Sequence, residues 1–179
     1  MPSKRFWAKN NPELDFQETV DKTFFFIENF NYKKFIHISS ISARCQLTSV
    51  YGINKKKSEN AVLQNSKNLV LRLGPLYGDG LDKGVLIDML NSKTVYIDGN
   101  SKYSFTNISW VCEWVTKNLS SHKGIKEIGS KDYFTLSQLA KKINSESNFK
   151  GEIDNQLIID EEKYSSKSKD VLIYLKNFN

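Results

Sequence analysis

Apolar residues recur at steps of three and four near the start of the chain, a spacing that is typical of an amphipathic helix. The pattern predicts a helix over residues 15–30. An Asp-x-x-Glu sequence beginning at Asp15 matches a capping box, so we expect the helix to begin there. Its expected buried face, which two neighbouring phenylalanines widen, consists of Phe16, Val20, Phe24, Phe25, Phe26, Ile27 and Phe30.

Short apolar runs alternate with helical patterns through the first part of the chain. Phe35–Ser39 and Leu69–Leu73 have the composition and length of strands that are buried on both faces of a parallel sheet. A polar loop over 40–50 and a helix over 51–65 separate them, and Lys126–Ile128 is a third short strand. This order of strand, helix and strand predicts an α/β fold with a parallel sheet.

The rest of the chain predicts smaller elements. A Gly- and Pro-containing loop over 73–80 separates a core region, 1–80, from a smaller region, 81–179, which returns one strand near 125–129 to the core. We expect three further helices: one over 84–91, one after an N-cap at Ser109, and one after a capping box formed by Thr135 and Gln138. We also expect strands at Thr94–Ile97, Tyr103–Ile108 and Leu157–Ile159.

The charge of the chain is +6, and almost all of the positive charge is lysine. The arginines are Arg5, Arg44 and Arg72, whereas paired hydrogen bonds to phosphate and guanine are usually made by arginine. The lysines are also spread along the sequence. The composition therefore favours a solvated lysine-rich surface over a face that binds nucleic acid.

The sequence also disfavours several other kinds of site and location. Cys45 and Cys112 form no Cys-x-x-Cys pair, which indicates a reducing compartment, and with only His37 and His122 as histidines we expect no metal site. No apolar run approaches the ~20 residues that span a bilayer, and the first ten residues lack the apolar core of a signal peptide. We therefore expect a cytoplasmic protein without a membrane partner.

Tyr51 and Lys55 are four residues apart, so they share one face of the expected helix. An ammonium group beside a phenol favours the phenolate, and Lys55 is therefore expected to lower the pKa of Tyr51 toward neutrality. Such a tyrosine can exchange a proton with a substrate hydroxyl while a cofactor takes a hydride. Ser40, where the preceding strand ends, can hydrogen-bond the same oxygen.

Several segments in a fixed order carry a resemblance to a known family. A strand ending in Ser39-Ser40 precedes Tyr-Gly-Ile-Asn-Lys-Lys-Lys-Ser-Glu, which is similar to the family pattern Tyr-Gly-x-Ser-Lys-x-x-x-Glu. The strand and loop at 71–78, the segment 104–115 and the segment 128–136 follow in the family's order. From about residue 15 to 145 the chain resembles an extended short-chain dehydrogenase/reductase of the NAD-dependent epimerase/dehydratase family.

The resemblance implies the C-terminal part of a Rossmann-like parallel sheet with flanking helices, together with a small α/β substrate lobe. It also implies hydride transfer between NAD or NADP and a nucleotide-activated sugar, in a homodimer formed through the helices 15–30 and 51–65. The residues implied by position are Tyr51, Lys55 and Ser40 for catalysis, Lys55, Pro75 and Leu76 for the cofactor, and Ser42, Arg72 and Tyr77 for the substrate.

The sequence departs from the family where the cofactor's phosphates should bind. The family begins with a Gly-x-x-Gly-x-x-Gly loop that this chain lacks, so we expect an N-terminally truncated relative. Its first strand then needs a cover for its open edge, either a short strand at Lys4–Ala8 or a complementary chain that carries the N-terminal half. The alternative is a catalytically inactive remnant that serves as a binding or assembly module.

Overall fold

The computed structural model describes residues 5–159 and 166–178, which form helices and short strands in alternation. The helices are α1 (Arg5–Asn10), α2 (Pro12–Phe16), α3 (Lys22–Asn29), α4 (Ser42–Cys45), α5 (Val50–Val62), α6 (Val85–Leu90), α7 (Ile108–Asn118), α8 (Leu136–Lys142) and α9 (Val171–Lys176). The strands are β1 (Ile36–Ser40), β2 (Leu69–Leu73), β3 (Leu76–Tyr77), β4 (Lys102–Tyr103), β5 (Thr106–Asn107), β6 (Gly124–Ile128) and β7 (Phe134–Thr135).

The chain forms two units. The first contains the residues up to 73 together with 118–127, and the second contains 74–117 together with the residues from 128 onward. The segment 118–127 is held in the first unit by Lys34, whose ammonium group donates to the main-chain carbonyls of Leu119 and His122. The first unit is therefore discontinuous in sequence.

The sheet of the first unit has β2 in the middle, between β1 and β6. β1 and β2 pair in parallel, from Ile36 opposite Leu69 to Ser40 opposite Leu73. Every residue of β2 is buried, as expected for a central strand. The predicted α/β fold with a parallel sheet is confirmed.

β1 is the outer strand of the described sheet, and the expectation that it is buried on both faces is wrong. Ile38, in the middle of β1, is 49% exposed, and β2 is the strand's only neighbour in the sheet among the described residues. The short strand that was expected to cover this edge is also absent, since Arg5–Asn10 is the helix α1 and Lys4 lies outside the described residues. The open edge therefore persists in the described part of the chain.

The predicted helix over 15–30 is present, but it begins earlier and buries a different face. Helical structure starts at Pro12 and continues through a π-helical stretch, Gln17–Asp21, into α3. Asp15 thus lies inside the helix and is fully buried, so the expected capping box is wrong. The residues that face inward are largely polar: Asp15, Thr19, Val20 and Thr23.

A short helix, followed by the start of α5, lies where the sequence predicted only a polar loop. α4 occupies Ser42–Cys45, and the Ser49 side chain then caps α5 by accepting from the main-chain N–H of Gly52 at 3.0 Å. A Cβ atom at Gly52 would meet the main-chain oxygens of Gln46 and Ser42. Glycine is therefore required for the close approach of α4 to the first turn of α5.

The second unit contains two pairs of short strands around a separate apolar core. β3 pairs in parallel with β5, and β4 pairs antiparallel with β7. The predicted capping box of α8 is confirmed, because Thr135 and Gln138 each accept from the other's main-chain N–H. The largest side chains buried in this core include Tyr103, Phe105, Met89, Leu136 and Leu139.

Three local predictions for the second unit are wrong. Asn107, rather than Ser109, caps α7, since its Oδ1 atom accepts from the main-chain N–H groups of Ser109 at 2.8 Å and Trp110 at 3.4 Å. The strands expected at 94–97 and 157–159 are not formed. Near these segments the described chain has isolated bridges, Val95 with Phe149 and Tyr103 with Gln156.

Candidate active site

Ser40 and Tyr51 are brought together in the first unit by the end of β1 and the start of α5. The Ser40 hydroxyl lies close enough to the phenol of Tyr51 to lower its pKa. The main-chain N–H of Ser42 donates to Ser40 Oγ at 3.2 Å, which leaves the Ser40 hydroxyl proton available for Tyr51. The sequence thus predicted a pair of residues that the fold brings close together.

Lys55 lies one helical turn beyond Tyr51 on α5, and both side chains are half-buried. Its Nζ atom is 5.7 Å from the centre of the Tyr51 ring. Burial lowers the pKa of Lys55, while the negative charges of Asp15 and Glu59 raise it. A cation therefore lies beside the phenol in a partly desolvated setting, where its electrostatic effect is stronger than in water.

The expectation that Lys55 brings the pKa of Tyr51 toward neutrality is wrong for the protein as it stands. The pKa of Tyr51 is raised above its ordinary value, first by burial and further by the charge of Asp15. The hydrogen bond from Ser40 and the charge of Arg5 lower it, without reversing the shift. Burial of the phenol disfavours its charged form, so Tyr51 is a protonated hydrogen-bond donor at neutral pH.

A buried ion pair connects α5 to β2 directly behind the site. Glu59 is fully buried, and its two carboxylate oxygens accept from Arg72 Nε at 2.8 Å and Nη2 at 2.7 Å. Ser39 Oγ also donates to Glu59, at 2.7 Å. The residue before Ser40 is therefore fixed to the same helix that carries Tyr51 and Lys55.

A second carboxylate extends this network to α4. Glu127 of β6 accepts from Arg44 Nε at 2.7 Å and from Arg72 Nη1 at 3.3 Å. Two arginines and two glutamates thus form an ion-pair network, and Lys56 Nζ lies 3.6 Å from Glu59 Oε2. This arrangement favours a structural role for Arg72 over the substrate contact that the sequence suggested, because the guanidinium group already donates to both carboxylates.

The remaining predicted site residues are divided between the two units. Ser42 is in the first unit but only 1% exposed, so its main-chain contact to Ser40 is its clearest contribution. Pro75, Leu76 and Tyr77 belong to the second unit. Pro75 accepts from the main-chain N–H of Thr106 at 2.9 Å, which aligns β3 with β5.

Tyr77 lines an open cavity of about 530 Å³ in the second unit. The cavity also presents the side chains of Trp110, Lys167 and Asp170. Tyr174 stacks near Tyr77 with ring centres 5.3 Å apart, and its hydroxyl donates to the Gly78 carbonyl at 2.8 Å. Aromatic walls with a few polar groups are the usual lining of small-molecule sites.

Asp15 and Asn54 were missed by the sequence reasoning, although both are buried beside the site. Asn54 Nδ2 donates to Asp15 Oδ2 at 2.8 Å. One turn further along both helices, Ser58 Oγ donates to the Thr19 carbonyl at 2.8 Å. The signal that could have revealed this contact was the asparagine immediately before Lys55, where the family pattern has serine or threonine.

The described residues contain no cluster of three or more side chains suited to hold a metal ion. None of the helices in this part of the chain has the length and hydropathy needed to cross a membrane.

Comparison with solved structures identifies the fold. A UDP-N-acetylglucosamine 4-epimerase from Methanobrevibacter ruminantium M1, in complex with UDP-N-acetylmuramic acid, matches 98% of this chain over 72% of its own, at 16% identity and a TM-score of 0.75. The NAD-dependent NDP-hexosamine 5,6-dehydratase TunA matches 98% of this chain over 73% of its own, at 15% identity and a TM-score of 0.77. A UDP-glucose 4-epimerase from Thermus thermophilus in complex with NAD matches 99% of this chain over 76% of its own, at 14% identity and a TM-score of 0.73.

No protein-family model and no curated protein sequence matches the chain. Sequence identities this low show likeness of fold alone. The chain spans about three quarters of the length of the three structures named above. It has the Rossmann-like fold of the extended short-chain dehydrogenases/reductases, to which NAD-dependent epimerases and dehydratases of nucleotide sugars belong.

Proposed function

We propose that the protein supplies the proton-transfer centre of an NAD(P)-dependent epimerase, dehydratase or reductase that acts on a nucleotide sugar. The observation that carries the proposal is the Lys55 ammonium group 5.7 Å from the centre of the Tyr51 ring, with Ser40 close enough to the phenol to lower its pKa. This arrangement occurs in a fold whose solved examples include enzymes complexed with NAD and with nucleotide sugars.

Tyr51 acts first as a proton donor in this proposal. Its pKa is raised by burial, so the phenol is protonated at neutral pH and can donate to an oxygen on which negative charge develops. Ser40 donates a hydrogen bond to the tyrosine oxygen once the proton has left. The nearby Lys55 cation favours the resulting phenolate, because opposite charges attract strongly in a partly buried site.

NAD or NADP would supply the hydride-transfer chemistry when bound. The residues of the first unit fit the reacting end of such a cofactor, because Lys55 offers an ammonium donor beside Tyr51. Pro75 and Leu76 are further cofactor contacts that we propose from the family resemblance. The diphosphate end is different, since the sequence contains no Gly-x-x-Gly-x-x-Gly loop. We propose that the reacting end alone lets the chain bind the dinucleotide weakly, and that a complementary chain segment adds contacts at the diphosphate end and pairs with the open edge of β1.

Isothermal titration of the purified protein with NAD+, NADP+ and UDP-sugars tests this function. We expect heat of binding from one dinucleotide, and binding about tenfold or more weaker in Lys55→Met, because a charged hydrogen bond contributes about 1.5–3 kcal/mol. The Tyr51→Phe variant is the matched control. It should bind like the unmodified protein and fail to oxidise or reduce the nicotinamide during turnover.

The role of Lys55 in cofactor binding and the enzymatic function itself can fail separately in this experiment. Equal affinity of Lys55→Met and the unmodified protein would remove Lys55 from the cofactor site. Absence of heat with every dinucleotide and UDP-sugar would overturn a self-sufficient enzyme and support the second candidate function.

The second candidate function is that of an inactive assembly module, and an exposed aromatic cluster on α3 favours it. Phe24, Phe25, Phe26 and Phe30 are each 43–55% exposed. The rings of Phe25, Phe26 and Phe30 pack against one another, with centres 5.5 Å apart for Phe26 and Phe30. We propose that this cluster, together with the exposed side of α5, binds a second copy of the chain, since exposed apolar patches of this kind mark interaction sites.

Charged substitution in this cluster is expected to abolish self-association. The double variant Phe25→Glu and Phe26→Glu should sediment as a monomer at concentrations where the unmodified protein is a dimer. Tyr96→Glu is the matched control, because Tyr96 is 80% exposed and lies in the second unit. A monomeric unmodified protein across the accessible concentration range would contradict the dimer and leave only a different chain as the partner of this surface.

A further inference from the structure

Asp15 is a buried carboxylate that does not form the capping box predicted for it. It lies in α2 with no exposed surface and accepts from Asn54 Nδ2 at 2.8 Å. A buried carboxylate is costly to desolvate unless neighbouring donors and cations compensate it. Its retention in the interior therefore requires an explanation in terms of what surrounds it.

The helical segment of Asp15 is fixed to α5 by a pair of polar contacts one turn apart. Asp15 meets Asn54, and Thr19 accepts from Ser58 at 2.8 Å. Both helices thus contribute residues at a spacing of four, so the two contacts set one register between them. Asn54 directly precedes Lys55 in this helix, which means that the register also sets the position of the site lysine.

The charge of Asp15 reaches both titratable groups of the candidate site. The charges of Asp15 on α2 and Glu59 on α5 raise the pKa of Lys55. Lys55 in turn lowers the pKa of His37 on β1. The pKa of Tyr51 is affected by Ser40 on β1, Arg5 on α1 and Asp15 on α2. Asp15 is thus common to both sets.

We propose that Asp15 is a positioning residue of the candidate active site, which holds α5, and with it Tyr51 and Lys55, in register through its hydrogen bond to Asn54. The charge of its carboxylate also acts on Lys55. Its role rests on the proposed function, in which the Lys55 cation stabilises the phenolate. Asp15 itself touches neither substrate nor cofactor in this proposal. It acts through the residues of α5.

The Asp15→Asn variant tests the proposal because it removes the charge and keeps an oxygen that Asn54 can reach. We expect the titration midpoints of both Lys55 and Tyr51 to move to lower pH, since Asp15 raises the pKa of each group. NMR of the protein with ¹³C-methylated lysines and ¹³C-labelled tyrosine Cζ measures both midpoints. The signals that vanish in Lys55→Gln and Tyr51→Phe identify the two residues.

Ser58→Ala is the matched control for a merely structural effect. It removes a buried hydrogen bond from the same helix pair without changing a charge, so thermal stability should fall while both midpoints stay in place. Unchanged midpoints in Asp15→Asn would overturn the proposal. If that variant does not fold, Asp15→Ser replaces it with the same expectation, and failure of both to fold would make Asp15 a folding determinant instead.

This experiment is independent of ligand binding. The midpoints are measured on the protein without cofactor, so an absence of NAD(P) binding would overturn the proposed function while leaving the positioning effect measurable. Conversely, a protein that binds dinucleotide but shows unchanged midpoints in Asp15→Asn would retain the proposed function and lose this inference.

Discussion

Replacement of Glu59 by alanine is expected to lower the free energy of unfolding by about 3–5 kcal/mol, the usual cost of removing one partner from a buried ion pair. Glu59 has no exposed surface and accepts from Arg72 through both oxygens. Without it, Arg72 would keep only Glu127, at 3.3 Å, and Ser39 would lose its acceptor. Chemical denaturation with a fluorescence readout measures the change.

A double variant separates the lost charge pair from lost packing. Glu59→Met combined with Arg72→Leu replaces both charges with apolar groups of similar size, which leaves no uncompensated charge in that pair. It should recover much of the stability that the single substitution loses. Glu113→Ala, which removes one partner of an exposed pair with Lys117, should cause no measurable change. Equal instability of the single and double variants would show that the network does not act as an ion pair.

The protein is expected to lose stability in mild acid because of His37. Burial lowers the pKa of His37 from 6.5 to about 4, with the charge of Lys55 acting in the same direction. Its Nε2 atom is buried and makes no hydrogen bond among the described residues. Between these pH values the unfolded chain binds a proton that the folded protein does not. The free energy of unfolding should therefore fall by about 3 kcal/mol as the pH falls from 6.5 to about 4.

The His37→Gln variant isolates this contribution from that of the carboxylates, which also titrate near pH 4. Urea denaturation at several pH values should show the unmodified protein losing stability relative to the variant across this window, with a constant difference above pH 6.5. Ile36→Val, on the same strand, should shift stability equally at every pH. Parallel pH profiles for His37→Gln and the unmodified protein would show that the pKa of His37 is the same in the folded and unfolded states.

Local signals in the sequence were sufficient for the central elements. β2 has the predicted boundaries, and the contact between Ser40 and Tyr51 follows from a strand end that precedes a Tyr-x-x-x-Lys helix. The capping box at Thr135 is also a short-range pattern, formed by residues three apart. Each of these features depends on neighbours that are close in sequence or on one familiar strand–helix order.

The features that could not be predicted depend on residues distant in sequence. Asp15 matched a helix start, but its buried position is set by Asn54, 39 residues away. The predicted burial of Phe24 and Phe25 is wrong, because α3 packs through its polar side. Periodicity alone does not show which face of a helix is buried. The pKa of Tyr51 was misjudged because spacing reveals its cation but not the desolvation of the phenol.

The return of residues 118–127 to the first unit has a consequence for the order of folding during synthesis. A nascent chain that has emerged only as far as β2 would have Arg44 and Arg72 in place but would lack Glu127, and Lys34 would lack the carbonyls of Leu119 and His122. The whole of α7 must leave the ribosome before these contacts can close. The unit that holds the candidate active site is therefore completed late, after much of the second unit has been synthesised.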